Sequence, residues 1–381
     1  MRFHPWVFSG AIHKIEGKPN EGDVVEVVDS NRRFLAIGHY QIGSIAVRVI
    51  SFEQQQINDD FWFRKIEMAY MMRKSLNLIV PEQNNTYRLV HGEGDFLPGL
   101  IVDVYGETAV MQAHSVGMHE IREVIAGAII ANVPGIKNIY YKSETTLPFK
   151  ADITPEDGYL VGSDSKSYYG TENGLKFQMD WLKGQKTGFF VDQRENRALL
   201  ERYAGGKSVL NMFCYTGGFS VYAMRGGAEV VHSVDSSAKA VELTNTNVEL
   251  NFPKDKRHAA FAEDAFKFLN NLHLREQQYD LIVLDPPAFA KHREALRNAL
   301  KGYKRLNARA IEQIKPGGIL FTFSCSQVVT KDQFRLAVFS AAAETGRNVR
   351  ILHQLTQPAD HPVNIYHPEG EYLKGLVLWV E

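Results

Sequence analysis

A cysteine between two serines, Ser324-Cys325-Ser326, and an acid that heads a proline pair, Asp285-Pro286-Pro287, are the residues of this chain best suited to do chemistry. Each follows a short apolar run, Tyr279-Asp280-Leu281-Ile282-Val283-Leu284 before the acid and Ile319-Leu320-Phe321-Thr322-Phe323 before the cysteine. Such runs read as buried strands, and in a parallel sheet their ends share one carboxyl edge. A thiolate there can add to an electrophilic carbon and leave after the substrate has reacted elsewhere. That role calls for a thiol of lowered pKa, with an acidic group beside it to hold a proton against the substrate. Most free cysteines are small buried hydrophobes. The strand end and the flanking serines favour catalysis for Cys325, whereas Cys214 lies inside a turn where packing is expected.

A ligand site precedes this pair. Val209-Leu210-Asn211-Met212-Phe213-Cys214-Tyr215-Thr216-Gly217-Gly218 reads as a buried strand and a glycine turn, and Phe219 to Met224 as the helix that follows. Gly226-Gly227 then supplies a left-handed helix end. The next strand, Val230 to Asp235, ends in an acid 18 residues after Gly217, where a carboxylate can accept both hydroxyls of a ribose. Ala262-Glu263-Asp264-Ala265 forms a short acidic loop of the kind that meets an adenine edge. The turn lacks the Gly-x-Gly-x-x-Gly fingerprint, and no Walker lysine follows it. A ribose and adenine site without a pyrophosphate cradle points to S-adenosylmethionine.

With that methyl donor, the Cys325–Asp285 pair suits a particular acceptor. Carbon 5 of cytosine is too weak a nucleophile to attack a methylsulfonium directly. A thiolate bound at carbon 6 makes it enamine-like, and a proton at N3 stabilises the charge that develops. Phe289, after the prolines, could stack on a base flipped out for the reaction.

The elements that must position these groups alternate strand and helix from Gly184 onward, an α/β pattern with a Rossmann-like sheet. Gly184 to Asn196 is a polar loop entering a helix at about Asp192, with Arg194 and Arg197 in its early turns. Cations there oppose the helix dipole, so they face either a ligand or a salt bridge to Glu195 or Glu201. From Lys291 to Arg309 a helical stretch holds seven Lys/Arg and one acid. Arg293, Arg297, Lys301 and Arg305 recur every fourth residue and share a face, which suits either RNA phosphates or plain solvation. Upstream, Asp23–Val28, Phe34–Gly38 and Ile45–Ile50 read as strands of a small barrel. Before them, His4-Pro5-Trp6-Val7-Phe8-Ser9-Gly10-Ala11-Ile12 resembles the opening of a PUA domain, with Trp6 and Phe8 expected in its core. A helix over 57–79 leads to an α+β middle part with a helix over 118–131. His91-Gly92-Glu93-Gly94-Asp95 reads as a turn in preference to a metal site, and no metal is expected elsewhere.

Composition sets outer limits. A chain of 381 residues has room for two or three cores, and a net charge of −1 argues mildly against a protein that simply coats nucleic acid while permitting a local basic face. Two cysteines make neither a disulfide framework nor a zinc site unaided, and no apolar run of 18 residues offers a membrane span. A reducing cytoplasm is the expected compartment. The oligomeric state stays open, a homodimer included.

The chain resembles, over nearly its full length, the RlmI-like family of S-adenosylmethionine-dependent ribosomal RNA large-subunit methyltransferases. The resemblance rests on Gly184 to Asn196, Tyr215-Thr216-Gly217-Gly218, Asp285-Pro286-Pro287-Ala288-Phe289, Ser324-Cys325-Ser326 and Pro368-Glu369-Gly370-Glu371-Tyr372-Leu373-Lys374-Gly375. It implies a class I methyltransferase domain at the carboxyl end, an N-terminal PUA pseudo-barrel and a middle α+β domain, divided at 1–70, 71–183 and 184–381. It implies cytosine carbon 5 methylation in large-subunit (23S) ribosomal RNA, with Cys325 as nucleophile and Asp285 as its acid. Motifs and resemblance together assign the cofactor to Asn211, Phe213, Tyr215, Thr216, Gly217, Asp235, Ser236, Asp264, Ala265, Asp285 and Gln193. They assign substrate RNA to Phe289, Lys186, Arg194, Arg293, Arg297 and Lys301. Another group of RNA cytosine methyltransferases carries a second cysteine after the prolines; Ala288 stands there, so a different base must take the carbon 5 proton. Methylation of an exocyclic base amine, and RNA binding without turnover during ribosome assembly, are the competing readings.

Overall fold

A computed structural model of the chain describes residues 3–148, 153–164, 168–274 and 278–381. The chain divides into two compact units. The first comprises Met1–Gly174, Met179–Val191 and Ala359–Gly370; the second comprises Leu175–Gln178, Asp192–Pro358 and Glu371–Glu381.

In the first unit, β-branched residues set strands at Trp6–Phe8, Val24–Val28, Phe34–Tyr40 and Ile45–Ser51, which make an antiparallel four-stranded sheet. Asn58 caps the helix Asp59–Ser75 by accepting from the Phe61 amide at 3.1 Å. That helix and Arg122–Asn132 cover a second sheet, ordered Thr86–His91, Leu100–Tyr105, Thr108–Ala113, Asn138–Tyr141 and Gly158–Val161. Ile37 and Ile50 of the first sheet pack into the same core as Phe61, Trp62, Ile66 and Leu89. One core therefore serves the pseudo-barrel and the middle part alike, which is why they form one compact unit. The stretch Gly184–Val191 and the late segment Ala359–Gly370 also belong to this unit, so its limits differ from a simple division at residue 184.

Several local expectations need correcting. Phe8 is 45% exposed and Trp6 half-buried, so neither sits in a core; the Trp6 Nε1–H donates to Glu93 Oε1 at 2.7 Å. The helix expected over 118–131 is two pieces, Val116–Glu120 and Arg122–Asn132, broken at Ile121. Gly92–Asp95 makes a 3-10 turn whose acids are engaged by cations, Glu93 by Arg48 at 2.8 Å and Asp95 by Arg73.

Arg73 is the polar centre of the first unit. Fully buried, it grips both Asp95 oxygens and also donates to the Arg88 and Asp360 carbonyls, each at 2.8 Å. Every buried charge in this knot has a partner, as burial requires.

The second unit is a seven-stranded sheet ordered His258–Ala262, Val230–Asp235, Ser208–Met212, Tyr279–Leu284, Ile314–Ser324, Lys374–Val380 and Val349–Leu355. The first five run parallel, and Lys374–Val380 is antiparallel to both neighbours. Strand order reverses between Ser208–Met212 and Tyr279–Leu284, and a crevice beyond their carboxyl ends is where such sheets bind ligands. Met212 lies opposite both Val234 and Leu284, and Leu284 opposite Thr322, so four strands end nearly flush. The helix Leu296–Gln313 buries Ala299, Tyr303, Leu306 and Ala310 against the sheet and turns its cations outward. It starts later than expected, after a 3-10 turn at Arg293–Ala295.

Replacing Arg73 with alanine leaves Asp95 buried without its counter-charge. The expected loss of stability is about 3–5 kcal/mol, read as a lower urea midpoint for the first unit; an unchanged midpoint would refute this role.

Candidate active site

The turn after Ser208–Met212 is held in an unusual backbone. Phe213, Tyr215 and Gly217 have φ of 60°, 46° and 77°, all left-handed. The strained residues are fixed from several sides. The Tyr215 amide donates to Asp235 Oδ2 at 3.0 Å and its carbonyl accepts from Thr244 Oγ1 at 2.9 Å. The Thr216 carbonyl accepts from Asn247 Nδ2 at 2.8 Å. A Cβ at Gly217 would meet Thr244 Cγ2 at 2.7 Å, and one at Gly218 would meet Arg197 Cδ at 2.9 Å. Glycine pairs here because two side chains pass where a Cβ would stand.

Three acids follow on the neighbouring strand ends. Asp235 Oδ1 accepts from the Ser237 amide at 3.0 Å, so Ser237, and not Asp235, caps the helix Ala238–Asn251. Asp264 caps Ala265–Asn270 by accepting from Lys267 N at 2.9 Å, with Ala265 buried behind it. Asp285 ends Tyr279–Leu284, and burial lifts its carboxyl to about 7. Asp192 adds to that rise, while a hydrogen bond from Gln193 and the charge of Arg197 oppose it. The Gln193 amide is oriented for this, because its Oε1 accepts from Asn196 Nδ2 at 2.6 Å and its NH2 is left for the acid.

Cys325 stands one residue beyond Ile314–Ser324. Its flanking serines explain themselves. Ser324 Oγ donates to the Tyr303 hydroxyl at 2.9 Å, and Ser326 Oγ lies 3.0 Å from the same hydroxyl while accepting from the Ala290 amide at 3.3 Å. Lys374 Nζ donates to the Ser326 carbonyl at 2.7 Å. The backbone either side of Cys325 is thus pinned, and its half-buried Sγ lies 3.9 Å from the Pro286 carbonyl. The thiol is not acidified as the sequence led us to expect. Burial, then the charges of Asp285 and Asp192, push it up to about 12, with Lys374 opposing. Lys374 is itself lowered to about 8 by burial. The local charge balance explains the difference: two acids face the sulfur, and a single buried lysine offsets them.

Other expected residues distribute unevenly. Asn211 is buried at the strand end; its Nδ2 donates to Ser220 Oγ at 2.9 Å, while Oδ1 is enclosed without a hydrogen-bond partner. Such an acceptor suits a ligand donor. Ser236 is exposed beside Asp235, and Cys214 is buried against Thr244 at 3.5 Å. Arg194 is 1% exposed and its Nε pairs with Glu195 at 3.3 Å, so it does not offer a surface to RNA. Phe289 packs on Tyr303, ring centroids 4.6 Å apart, so it is no free stacking platform in this conformation. Arg293, Arg297 and Lys301 are exposed. Lys186, also exposed, belongs to the first unit. Sequence reasoning left Asp192, Arg197, Tyr303, Tyr372 and Lys374 without roles. Asp192 Oδ2 accepts from the Tyr372 hydroxyl at 2.6 Å, and its other oxygen is buried without a partner. The signal was present for four of them, since Gly184–Asn196 and Pro368–Gly375 had been singled out as motifs and Arg197 as a misplaced cation.

A sheet of this order, a glycine turn after its first strand and acids on the next two strands define a class I S-adenosylmethionine-dependent methyltransferase. The model for the S-adenosylmethionine-dependent methyltransferase family matches residues 148–370, and that for a PUA-like domain matches 1–52. Proteins named ribosomal RNA large subunit methyltransferase I from Tolumonas auensis and Alteromonas mediterranea are 42% and 39% identical. The alignments cover 99% of this chain in both cases, and 96% and 94% of those proteins. Two solved structures share the fold. One, assigned as a methyltransferase and complexed with S-adenosylhomocysteine, has a TM-score of 0.86; the other, from Streptococcus mutans, has 0.84. Each is 24% identical, and the match covers 100% of this chain and 96% of that one. The chain belongs to the ribosomal RNA large subunit methyltransferase I family.

Gly217→Ala should weaken binding of S-adenosylhomocysteine, measured by calorimetry, by about 1–2 kcal/mol from the left-handed backbone plus the clash with Thr244. Adding Thr244→Ser, which removes Cγ2 and keeps the hydroxyl, should recover the steric part. Wild-type affinity in the single variant would show that the turn does not face the ligand.

Proposed function

We propose that this chain transfers the methyl group of S-adenosylmethionine to carbon 5 of a cytosine in large-subunit (23S) ribosomal RNA, through a covalent bond between Cys325 and carbon 6. The observation that carries this reading is one thiol paired with one acid that titrates near neutrality, on adjacent strand ends beside the glycine turn. The names of the relatives support the RNA class. The reading divides the work among a PUA-like part at 1–70, a middle part at 71–183 and a transferase part at 184–381.

When bound, the cofactor supplies an electrophilic methyl group. Its proposed holders are Asn211, Phe213, Tyr215, Thr216, Gly217, Asp235, Ser236, Asp264 and Ala265, with Asp235 as acceptor for ribose hydroxyls and Asn211 Oδ1 for a donor of the ligand. Gln193 and Asp285 complete the set. Cys325 and Asp285 manage a single proton. As sulfur bonds to carbon 6 the thiol gives up its proton, and N3 of the base gains one through Asp285. The competent pair therefore holds one proton, on the thiol, with Asp285 ionised. Below about 7 Asp285 is also protonated, and the pair holds one too many. Phe289 would have to leave Tyr303 to meet a flipped base. Exposed Arg293, Arg297 and Lys301 are the proposed phosphate contacts of the second unit, and Lys186 that of the first.

No helix among the described residues is long and apolar enough to cross a membrane, and the proposed compartment is the cytoplasm. A homodimer is proposed through the exposed apolar residues Leu336 and Phe339, 60% and 65% accessible on one helix.

One observation favours transfer to an exocyclic amine instead: the raised thiol pKa, since amine chemistry needs no thiolate. Methyl transfer from labelled cofactor to unmodified large-subunit RNA, with nucleoside analysis, separates the two. Label in 5-methylcytosine that disappears with Cys325→Ala is the expected result; label in a methylated amine, indifferent to that change, would replace the proposal. The log of kcat/KM should climb with pH through about 7 and then level, and Asp285→Asn should cost roughly a hundredfold and abolish that limb. A profile flat from pH 6 to 8 in the native enzyme would contradict the proton count.

A further inference from the structure

We propose that His4, His367 and Glu369 of the first unit form a binding site for a divalent transition-metal ion of the zinc class, separate from the methyltransferase edge. The three side chains bring one ligand atom each to within 4.8 Å of one another. Glu369 Oε2 stands 3.5 Å from His4 Nε2 and 3.8 Å from His367 Nε2. Tetrahedral zinc with bonds of about 2.0–2.1 Å separates its ligand atoms by roughly 3.4 Å, and both contacts to Glu369 stand within a few tenths of an ångström of that spacing.

A second, independent observation points to a ligand. His367 is 3% exposed, and neither of its ring nitrogens has a hydrogen-bond partner. A buried imidazole left in that state is costly, and a metal bond satisfies one of the two nitrogens. His4 is prepared for the same role. Its Nδ1 is engaged by the Trp6 backbone, 3.1 Å from the amide nitrogen and 3.2 Å from the carbonyl oxygen, and its Nε2 is the nitrogen turned toward Glu369.

Two histidines and one carboxylate leave a fourth position for water. The site joins the start of the Trp6–Phe8 strand to the segment Ala359–Gly370, which returns to the first unit from the far end of the sequence. A metal here would act as a staple between the two ends of one compact unit.

The test uses the full chain after chelator treatment, with Co2+ and Zn2+ as probes. Stoichiometric Co2+ should give visible d–d bands without the near-ultraviolet thiolate band that Cys214 or Cys325 would produce. Glu369→Gln and His4→Gln, both at accessible positions, should each weaken binding at least about tenfold. Zn2+ should raise the urea midpoint of the native chain and not that of either variant. The proposal fails if no stoichiometric band forms, or if the band persists in both variants. It fails equally if both variants lower the urea midpoint in metal-free buffer while added Zn2+ leaves the native midpoint unchanged, the mark of a cluster held by a proton alone.

Discussion

A carboxylate and a thiolate that are both partly withdrawn from water cannot share one strand edge cheaply. Each charge loses water, and each makes the other harder to form. Asp285 and Cys325 stand in that relation, and the surrounding residues read as its management. Arg197 and the Gln193 amide pull the acid back toward ionisation, while Lys374, fixed to the Ser326 carbonyl, does the same for the sulfur. The resting site is therefore poor in charge and rich in one mobile proton. A thiol this high in pKa is protected from chance oxidation and acquires its reactivity only as its proton finds a destination.

The sheet makes this meeting possible. Flush ends of four parallel strands put Phe213, Asp235, Asp285 and, two residues past its own strand's last aromatic, Cys325 on one edge, although they span more than a hundred positions. The antiparallel strand Lys374–Val380 then delivers Lys374 next to Ser324, since those two residues are register partners. A single β-pairing thus sets the counter-charge of the Cys325 thiol. Tyr303, reaching up from the Leu296–Gln313 helix, fixes both serines and so the direction of the residue between them.

Much of this was legible in the residues because strand periodicity and strand-end acids are local signals. The runs Val230–Asp235 and Tyr279–Leu284 became strands with those boundaries, and the glycine pair became the turn. Charge environment was not legible. Arg194 looked like a surface cation, yet helix phase turns it inward to a 1% exposed position. Cys325 looked like an acidic thiol, and its partners from Asp192 and Lys374 arrive from elements 133 and 49 residues away. Phe289 looked free because nothing in its own segment announces Tyr303. The shared core of the first unit was equally hidden, since Ile37 and Phe61 carry no mark of belonging together. The pairing of His4 with His367 has no sequence spacing at all.

The central claim, covalent addition of Cys325 to a cytosine, is tested most directly by trapping. Large-subunit RNA bearing 5-fluorocytidine should, with S-adenosylmethionine, leave the enzyme bonded to RNA, because fluorine cannot depart as the carbon 5 proton does. Peptide mapping should find the bond on Cys325, and Cys325→Ala should form none. An enzyme that methylates ordinary RNA yet gives no adduct with the fluorinated substrate would contradict the account.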